Sequence, residues 1–197
     1  MTSGDIEIDP RATGFVRLDL REVFGNDHPV ALEIGSGKGR FLLSSAAERP
    51  EMNFIGIEKS LHYHRVIRQR ASKRNLTNIL LVNHDAFLVL RDMLADASIA
   101  EIHIYFPDPW PRRRDQKRRI IRPEVLKEIG RVLVPGGAGV YVTDHREYFD
   151  AAAPVIEQFF PAERRIPQPD EPARTNYEAK YRAEGRAIFE VRFRRIA

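Results

Sequence analysis

Residues 104–122, with the sequence IYFPDPWPRRRDQKRRIIR, combine a carboxylate, an aromatic ring and a run of cations within nineteen positions. The alternating apolar residues Ile102, Ile104 and Phe106 predict a buried strand. Residues 107–111 end this strand, because their three prolines lack amide donors and fix φ. We therefore expect Asp108 and Trp110 to lie on a stiff loop at the end of the strand.

A dense basic segment follows this loop. Its cations are Arg112, Arg113, Arg114, Lys117, Arg118, Arg119 and Arg122, and Asp115 is the one acid among them. Arginine pairs with phosphate in a planar fork, and aromatic rings stack on bases. The segment therefore predicts a site for a nucleobase and its phosphates. A solvated helix face is the alternative explanation, which the position directly after the Pro-Asp-Pro-Trp loop disfavours.

A glycine-rich turn follows the apolar run 30–34. Its glycines alternate with other residues: Gly35, Gly37 and Gly39. A strand, such a turn and a helix form the first unit of a nucleotide-binding α/β fold, in which the backbone can approach a ligand closely. The dinucleotide fingerprint fails because its third glycine would fall at Arg40. The phosphate loop also fails, because Lys38 is followed by glycine instead of Ser or Thr.

Acids stand at the ends of four predicted strands. Glu33 lies within the strand 30–34, Glu58 closes 53–57, Asp85 follows 79–82 and Asp108 follows 101–106. Ligands of open α/β sheets bind at the carboxyl ends of the strands. Glu58 stands where such folds bind a ribose diol, unless it is a solvent-facing loop residue. Asp85 suits an adenine amino group or a helix N-cap, and the sequence leaves both roles open.

Several carboxylates in one crevice repel each other unless a cation or several donors lie among them. A sulfonium cofactor that carries an amino group and a ribose diol would supply both. The sequence therefore favours a cationic nucleoside cofactor at this edge of the sheet.

Length and composition predict a globular domain at 29–197 after an N-terminal arm at 1–28, with a short helix near 18–23. Of the 197 residues, 43% are hydrophobic and 30% charged, and the net charge is +4. The lack of cysteine excludes disulfides and thiolate metal sites. Neither a secretory signal nor an apolar run of about 18 residues is seen. We expect a cytoplasmic protein that binds neither a metal nor a membrane.

The C-terminal half is predicted to contain helices at 123–132 and 147–160, strands at 139–143 and 187–193, and a mobile loop at 161–172. Six strands can be located in the whole chain. The last third is rich in cations: Arg164, Arg165, Arg174, Lys180, Arg182, Arg186, Arg192, Arg194 and Arg195. They are expected to add to a basic surface for a polyanion.

Six short sequences occur in a recognisable order: LEIGSGKG, IGIE, HDA, FPDPWP followed by KRRI, the TD of VTDHREY, and TNYE. From about residue 32 to 195 the chain resembles the bacterial tRNA (guanine-N7-)-methyltransferases, which are class I methyltransferases dependent on S-adenosylmethionine. The proline-tryptophan motif with the trailing KRR is the specific part of this resemblance. The glycine turn alone would indicate only the superfamily.

The resemblance implies a single-domain, Rossmann-like α/β fold with a mostly parallel seven-stranded sheet and helices on both faces. It implies methyl transfer from S-adenosylmethionine to N7 of a guanine in tRNA, expected at position 46, by a monomer or homodimer. The implied cofactor contacts are Glu33, Gly35, Gly37, Gly39, Glu58, Asp85 and Asp108, with Asp108 also catalytic. The implied substrate contacts are Arg112, Asp144, Thr175, Asn176, Tyr177 and Glu178. Arg112 stands where the family is expected to have lysine, and residues 113–117 depart from its histidine-containing pattern.

Guanine N7 carries a lone pair and no proton, so its methylation needs alignment and charge stabilisation rather than a general base. Asp108, together with Glu178, is the candidate for holding the base, and Trp110 and Tyr177 are candidates for stacking or for packing. The alternatives are a methyltransferase of another RNA or a non-RNA substrate, a nucleic-acid-binding module with a vestigial cofactor site, and a polyamine synthase. The arginine-rich segment argues against the last of these.

Overall fold

The structure is a computed structural model that describes residues 7–168 and 170–196. Residues 1–6 of the predicted N-terminal arm and residue 169 of the predicted loop lie outside the described residues. The strands are β1 (Glu7–Ile8), β2 (Val30–Ile34), β3 (Asn53–Ile57), β4 (Ile79–Val82), β5 (Ile99–Tyr105), β6 (Leu133–Thr143), β7 (Ala162–Arg165) and β8 (Phe189–Arg194). The α-helices are α1 (Pro10–Thr13), α2 (Leu20–Phe24), α3 (Arg40–Glu48), α4 (Leu61–Lys73), α5 (Ala86–Leu88), α6 (Pro123–Val132), α7 (Arg146–Phe159) and α8 (Asn176–Ala183). A π-helical turn spans Val89–Met93, and a 3₁₀-helix spans Arg113–Arg118.

The strands form one eight-stranded sheet in the order β1-β4-β3-β2-β5-β6-β8-β7. The first six strands of this order are parallel, β8 is antiparallel to β6, and β7 is antiparallel to β8. The predicted α/β class and mostly parallel sheet are confirmed. The predicted count of seven strands is one too low.

The sheet is parallel because apolar strands alternate with amphipathic helices that cover both of its faces. Every residue of β2, β3 and β4 is buried, as expected for strands covered on both sides. The larger core cluster includes the inward faces of α6 and α7, and a smaller one lies between the other face of the sheet and α3 and α4. This arrangement brings the carboxyl ends of β4, β3, β2, β5 and β6 to one edge.

The N-terminal arm is joined to the sheet at its first described residues. β1 pairs in parallel with β4, and Ile8 and Leu18 are buried in the larger core cluster. The helix expected near 18–23 is α2, which Asp19 caps by accepting hydrogen bonds from two backbone amides. The division of the chain into an arm and a domain stays a prediction.

The mobile loop expected at 161–172 is wrong at its start, since Ala162–Arg165 is the edge strand β7. The sequence AERR lacks the apolar alternation of a half-buried strand, which is why it escaped notice. Residues 176–183, which follow the loop, form helix α8. No helix in the described part of the chain combines the length and apolarity that a membrane crossing requires.

Candidate active site

The turn between β2 and α3 is shaped by glycines with positive φ. Gly37 has φ of 52°, and Gly39, which precedes α3, has φ of 74°. A side chain at Gly39 would also clash with Ile67, because an added Cβ would lie 2.8 Å from Ile67 Cγ1. The turn therefore requires glycine for its backbone conformation and for its close packing against α4.

Glu58 fixes this turn from the end of β3. Its Oε2 accepts a hydrogen bond of 2.7 Å from the amide of Gly37, and its Oε1 accepts one of 2.7 Å from the amide of Ser60. The side chain is buried rather than solvent-facing. A carboxylate has about four acceptor positions, so lone pairs of Glu58 stay free for a hydroxyl donor.

Glu33 is the most unusual acid of the site. It is 3% exposed, and its Oε2 has no hydrogen-bond partner among the described residues. Burial, assisted by the nearby charge of Glu58 and opposed by the Ser36 hydroxyl, raises the pKa of Glu33 to about 8. A buried carboxyl group with a free oxygen at a pocket wall suits a ligand that brings a cation or a hydrogen-bond donor.

Glu33 and the glycine turn line an open pocket with about 410 Å³ of empty space, part of which is open to solvent, whereas Glu58 lies behind the turn and is not among the lining residues. Its walls are Glu33, Gly35, Ser36, Gly37, Lys38, Arg40, Phe41, Tyr105, Phe106, Thr175, Asn176 and Tyr177. The pocket unites predicted residues from the glycine turn with predicted residues from the TNYE sequence, which lie about 140 positions apart in the chain. The two segments are close because β8 pairs antiparallel with β6, so that the residues before β8 return to the edge where β2 ends. No local sequence pattern reveals this pairing.

Asp85 caps helix α5 at the next strand end. Its Oδ1 accepts a hydrogen bond of 3.1 Å from the amide of Phe87, and its Oδ2 lies 3.2 Å from Lys59 Nζ. The helix-cap role that the sequence left open is therefore present. Asp85 does not line the pocket, so its contact with a cofactor stays a prediction.

The Pro-Asp-Pro-Trp loop begins and ends with left-handed backbone. Phe106 has φ of 49° and Trp110 has φ of 42°, and non-glycine residues rarely adopt such angles outside functional or strained sites. The amide of Phe106 donates a hydrogen bond of 2.7 Å to the carbonyl of Val142. Arg119 Nε donates one of 2.8 Å to the carbonyl of Pro109, so the loop is held at both ends.

Asp108 lies on this loop, exposed and close to the pocket. Burial raises the pKa of Tyr177, and the charge of Asp108 is among the smaller causes of that shift. Tyr177 in turn lies over the glycine turn, because an added Cβ at Gly37 would be 3.9 Å from Tyr177 Cε2. Within the part of the chain that the structure describes, the Asp108 carboxylate has no hydrogen-bond donor or ion-pair partner. It is therefore available to a ligand.

The basic segment divides into exposed and inward-facing cations. Arg112, Arg113 and Arg114 are exposed. Arg119 is 8% exposed and lies 4.6 Å above the ring of Tyr148, so it supports the loop from inside. Arg118 lies 4.8 Å above the partly exposed ring of Trp110, a cation–π contact outside the core.

The cations of the last third are mostly neutralised within the protein. Arg164 pairs with Glu157, Arg165 with Glu171 and Glu190, Arg174 with Glu178 and Glu190, Arg182 with Glu178, Arg186 with Asp144 and Glu184, and Arg192 with Glu190. The prediction that this region adds free positive charge is wrong for these six arginines. Some of these partners lie two to seven positions away in the chain, whereas Glu190 is 25 and 16 positions from Arg165 and Arg174, and Asp144 is 42 positions from Arg186. The sequence places many of these acids near the arginines, but only the fold shows that the ion pairs form.

Two predicted substrate contacts are engaged in these ion pairs. Glu178 is fully buried, and both of its oxygens accept hydrogen bonds from Arg174, with a further one of 2.6 Å from Arg182. Asp144 accepts a hydrogen bond of 2.8 Å from Arg186. In this structure Glu178 is therefore not accessible to a substrate, whereas Asp144 is partly exposed beside an exposed arginine.

Thr175 orients helix α8 toward the pocket. Its hydroxyl accepts a hydrogen bond of 3.0 Å from the amide of Glu178 and caps the helix. This cap leaves Asn176 and Tyr177 exposed in the first turn, at the pocket wall. The TNYE sequence is thus divided between residues that face the pocket and one acid that anchors the helix.

A row of polar side chains on β5, which sequence reasoning missed, supports the pocket floor. Arg49 pairs with Glu101, His103 Nε2 lies 3.1 Å from Glu101 Oε2, and His103 Nδ1 lies 3.0 Å from the Tyr105 hydroxyl. The hydrogen bond to His103, together with Arg49, lowers the pKa of Glu101 to about 2. The ionised Glu101 accepts from Nε2–H of His103, which leaves Nδ1 to accept from Tyr105. In the sequence, the only sign of this row is that Glu101, His103 and Tyr105 occupy alternate positions, which lie on one face of a strand.

The comparisons with known proteins agree with this arrangement. A family model described as a putative methyltransferase matches residues 27–191. A tRNA (guanine-N(7)-)-methyltransferase of Aliivibrio fischeri is 37% identical over 186 residues, which are 91% of this chain and 78% of that protein. The protein of the same name from Streptomyces coelicolor is 34% identical over 197 residues, covering 97% of this chain and 71% of its own.

Solved structures share the fold at low sequence identity. The 16S rRNA methyltransferase KamB superposes with a TM-score of 0.67 over 92% of this chain and 95% of its own, at 16% identity. The aminoglycoside resistance methyltransferase NpmB1 gives a TM-score of 0.62 over 90% of this chain and 92% of its own, at 20% identity. Sheet order, glycine turn and strand-end acids together define a class I methyltransferase fold.

The particular family follows from the sequence relatives. The chain belongs to the family of bacterial tRNA (guanine-N(7)-)-methyltransferases, as the order of its short sequences indicated.

Proposed function

We propose that this protein transfers a methyl group from S-adenosylmethionine to N7 of a guanine in tRNA, with position 46 as the expected site. The observation that carries the proposal is a pocket lined by the free carboxyl of Glu33, the glycine turn and Tyr177, on which the charge of the exposed Asp108 acts. The exposed arginines at 112–114 follow Asp108 in the chain. The names of relatives that match over nine tenths of the chain support the same substrate. A tRNA substrate also suggests the cytoplasm as the place of action.

The residues at the pocket and the glycine turn fit S-adenosylmethionine by charge and by hydrogen-bonding capacity. Glu33 offers a buried oxygen without a partner, and Glu58 keeps free lone pairs beside the glycine turn, where a ribose diol could donate. Gly35 and Gly37 leave the backbone open to close approach. When bound, this cofactor supplies an electrophilic methyl group on a sulfonium centre. The protein's task is then to place and desolvate the acceptor.

Asp108 is proposed to hold the guanine. Its carboxylate has no partner in the described part of the chain and lies near Tyr177, so it can accept hydrogen bonds from a base edge that carries N–H donors. Methylation at N7 makes the purine cationic, and a fixed negative charge beside it stabilises that change. No proton has to be removed from N7, so Asp108 orients and stabilises without acting as a base.

The C-terminal segment is proposed to bind the substrate through Thr175, Asn176 and Tyr177 at the pocket wall. Glu178 acts indirectly by anchoring α8 through Arg174 and Arg182. Asp144 would contact the substrate together with Arg186, its ion-pair partner. Tyr177 is exposed and can stack on a base that leaves the RNA helix to enter the pocket.

The exposed arginines should govern affinity for tRNA. Replacing Arg112, Arg113 and Arg114 together by glutamine is expected to raise the KM for tRNA about tenfold or more, because phosphate contacts are lost. The dissociation constant for S-adenosylmethionine should stay nearly unchanged, since none of the three lines the pocket. Steady-state kinetics and calorimetry measure the two quantities.

A matched control removes the same charge elsewhere. Arg21, Lys127 and Arg194 are exposed cations without an acidic partner in the described chain, and they lie outside the pocket. Arg194 is one of the cations expected to add to the basic surface, but its backbone pairs with Ala138 where the pairing of β6 and β8 begins, whereas the pocket lies at the opposite edge of the sheet. The variant with all three replaced by glutamine, called the control variant below, should keep its KM within about twofold. Equal losses of tRNA and cofactor binding in the Arg112–114 variant would indicate a folding defect and contradict the assignment.

Cofactor binding should release a proton from Glu33. With a pKa of about 8 in the free protein, Glu33 is mostly protonated at pH 7, and a bound cation favours its ionised form. Burial also raises the pKa of the neighbouring Tyr105 well above this range, so Tyr105 stays neutral. Affinity should therefore rise with pH up to about 8, with close to one proton released per cofactor at pH 7.

Calorimetry in buffers of different ionisation enthalpy measures this proton release. The Glu33→Gln variant is the control, because glutamine cannot ionise. Any proton release measured with this variant comes from the cofactor or from other groups, and the difference from the wild type belongs to Glu33. Equal proton release in the variant and the wild type would show that Glu33 is not the group that loses a proton when the cofactor binds.

The substrate class is tested by incubation with methyl-labelled S-adenosylmethionine and three acceptors: unmodified tRNA, ribosomal RNA and bulk protein. We expect label in tRNA alone. Label in ribosomal RNA or protein with none in tRNA would replace the proposed substrate, and failure to bind the cofactor would favour a binding module.

A further inference from the structure

Helix α4 carries exposed positive charge on the other side of the glycine turn from the arginines at 112–114. The helix contains four basic residues and no acid, and Arg74 follows it directly. Arg65, Lys73 and Arg74 are exposed and have no acidic partner in the part of the chain that the structure describes. This contrasts with the last third of the chain, where six arginines pair with acids.

Two of the basic residues on α4 have partners within the protein. Arg68 faces β1, where it lies 2.7 Å from Glu7 and is neutralised. Arg70 faces the glycine turn and donates a hydrogen bond of 2.8 Å to the carbonyl of Lys38. At about 3.6 residues per turn, Arg65 and Lys73 lie on the side of α4 away from the buried Ile67 and Ala71, and Arg74 follows the last residue of the helix. Arg65 lies two residues before Ile67, which packs against Gly39, so the free cations begin beside the glycine turn and continue to the C-terminal end of α4.

The sheet order places the two basic regions on either side of the glycine turn. α4 follows β3 and the arginine segment follows β5, and both strands are hydrogen-bonded to β2, which ends in the glycine turn. α4 packs against one face of the sheet through Ile67 and Ala71, and the arginine segment packs against the other face through Ile121, so the two regions flank the glycine turn from different faces. Lys38 and Arg40, which are exposed at the pocket wall, lie between the two regions.

We propose that Arg65, Lys73 and Arg74 on α4 form a second RNA-contact surface, which binds phosphates on the far side of the nucleotide that enters the pocket. A base that is turned out of an RNA chain leaves its 5′ and 3′ neighbours on opposite sides of the pocket, and each side carries phosphates. Cations on one side alone would hold only one of these flanks. The inference rests on the proposed tRNA substrate, and it adds that phosphates of this substrate lie against α4.

Binding of an unmodified tRNA transcript over a range of KCl concentrations tests the inference. In the variant Arg65→Gln/Lys73→Gln/Arg74→Gln, affinity at about 0.1 M salt should fall about tenfold or more. The slope of log affinity against log salt should decrease in magnitude by about 3, which is about 1 for each cation removed. Arg70 is left in place because it supports the glycine turn. The control variant at Arg21, Lys127 and Arg194 has the same net charge and should change little.

Each outcome decides a separate point. If the α4 variant binds tRNA like the control variant, while the wild type binds in a salt-dependent manner, the second surface is refuted and the proposed function stands. If the wild type itself does not bind tRNA, the proposed function fails and this inference fails with it. A loss of affinity for S-adenosylmethionine in the α4 variant would show that the three substitutions together disturb the pocket. The single variants Arg65→Gln and Arg74→Gln then test the second surface, each with an expected slope change of about 1. An unchanged slope in both would refute it.

Discussion

The variant Asp108→Asn is expected to reduce kcat for methyl transfer to tRNA by about 100-fold or more, the size of effect seen when one preorganised electrostatic group is removed. The substitution keeps the shape of the side chain and removes its charge. In this structure Asp108 is exposed on a loop whose two ends are fixed by Val142 and Arg119, so the substitution should not disturb the fold. Single-turnover kinetics with labelled cofactor measures the chemical step.

The control for this variant is Asp115→Asn. Asp115 lies in the same basic segment, where its ion pairs with Arg114 and Arg118 are long, at 3.8 and 4.0 Å. Removal of this charge should leave kcat within about twofold, since weak surface pairs contribute little. Calorimetry separates cofactor binding from chemistry, and the loss in kcat should exceed the loss in affinity. A wild-type rate of methyl transfer in Asp108→Asn would show that the charge of Asp108 does not contribute to the chemical step.

The variant Arg174→Met is expected to lower the free energy of unfolding by about 3 kcal/mol, because it leaves buried carboxylates with fewer partners. Arg174 donates to Glu178 at 3.0 and 3.1 Å and to Glu190 at 2.7 Å, and both acids are fully buried. Urea unfolding measures the change. Arg194→Gln, an exposed cation without such a partner, should shift stability by less than about 0.5 kcal/mol.

The same ion pairs predict the direction of the pH dependence. Burial acts to raise the pKa of Glu178, but the hydrogen bonds from Arg174 and Arg182 outweigh it and lower the pKa below the ordinary value. The stability that Glu178 contributes is therefore present above the ordinary glutamate pKa of about 4.3 and lost as pH falls through the lowered value. In Arg174→Met this acid-dependent loss should be smaller. An unchanged stability profile would contradict the role given to the ion pairs.

The parallel part of the sheet could be predicted from sequence because its strands are short apolar runs that end at glycine or an acid. β2, β3 and β4 are buried along their whole length, so hydrophobicity alone marks them. β7 could not be predicted in this way. It is a charged edge strand, and what defines it is its pairing with β8 about 25 residues further on.

The site was predictable where chemistry is local to a strand end and unpredictable where it depends on distant partners. Glu33 was identified within an apolar run and Glu58 directly after one, and the structure places both at the glycine turn. Asp144, in contrast, is occupied by Arg186, which is 42 positions away. Glu178 is buried with Arg174, and that arginine is shared with Glu190, which is 16 positions from it. A sequence pattern identifies an acid, whereas only the fold shows whether its charge is already neutralised.

The most direct test maps the methyl group on the product. Unmodified tRNA is incubated with the protein and S-adenosylmethionine, digested to nucleosides for mass spectrometry, and cleaved chemically at 7-methylguanosine to find its position. We expect 7-methylguanosine at a single guanine of the variable loop, at position 46, formed at least about 100-fold more slowly when the protein carries Asp108→Asn. A methyl group on another atom or base, or its absence from tRNA while the cofactor binds, would contradict the account.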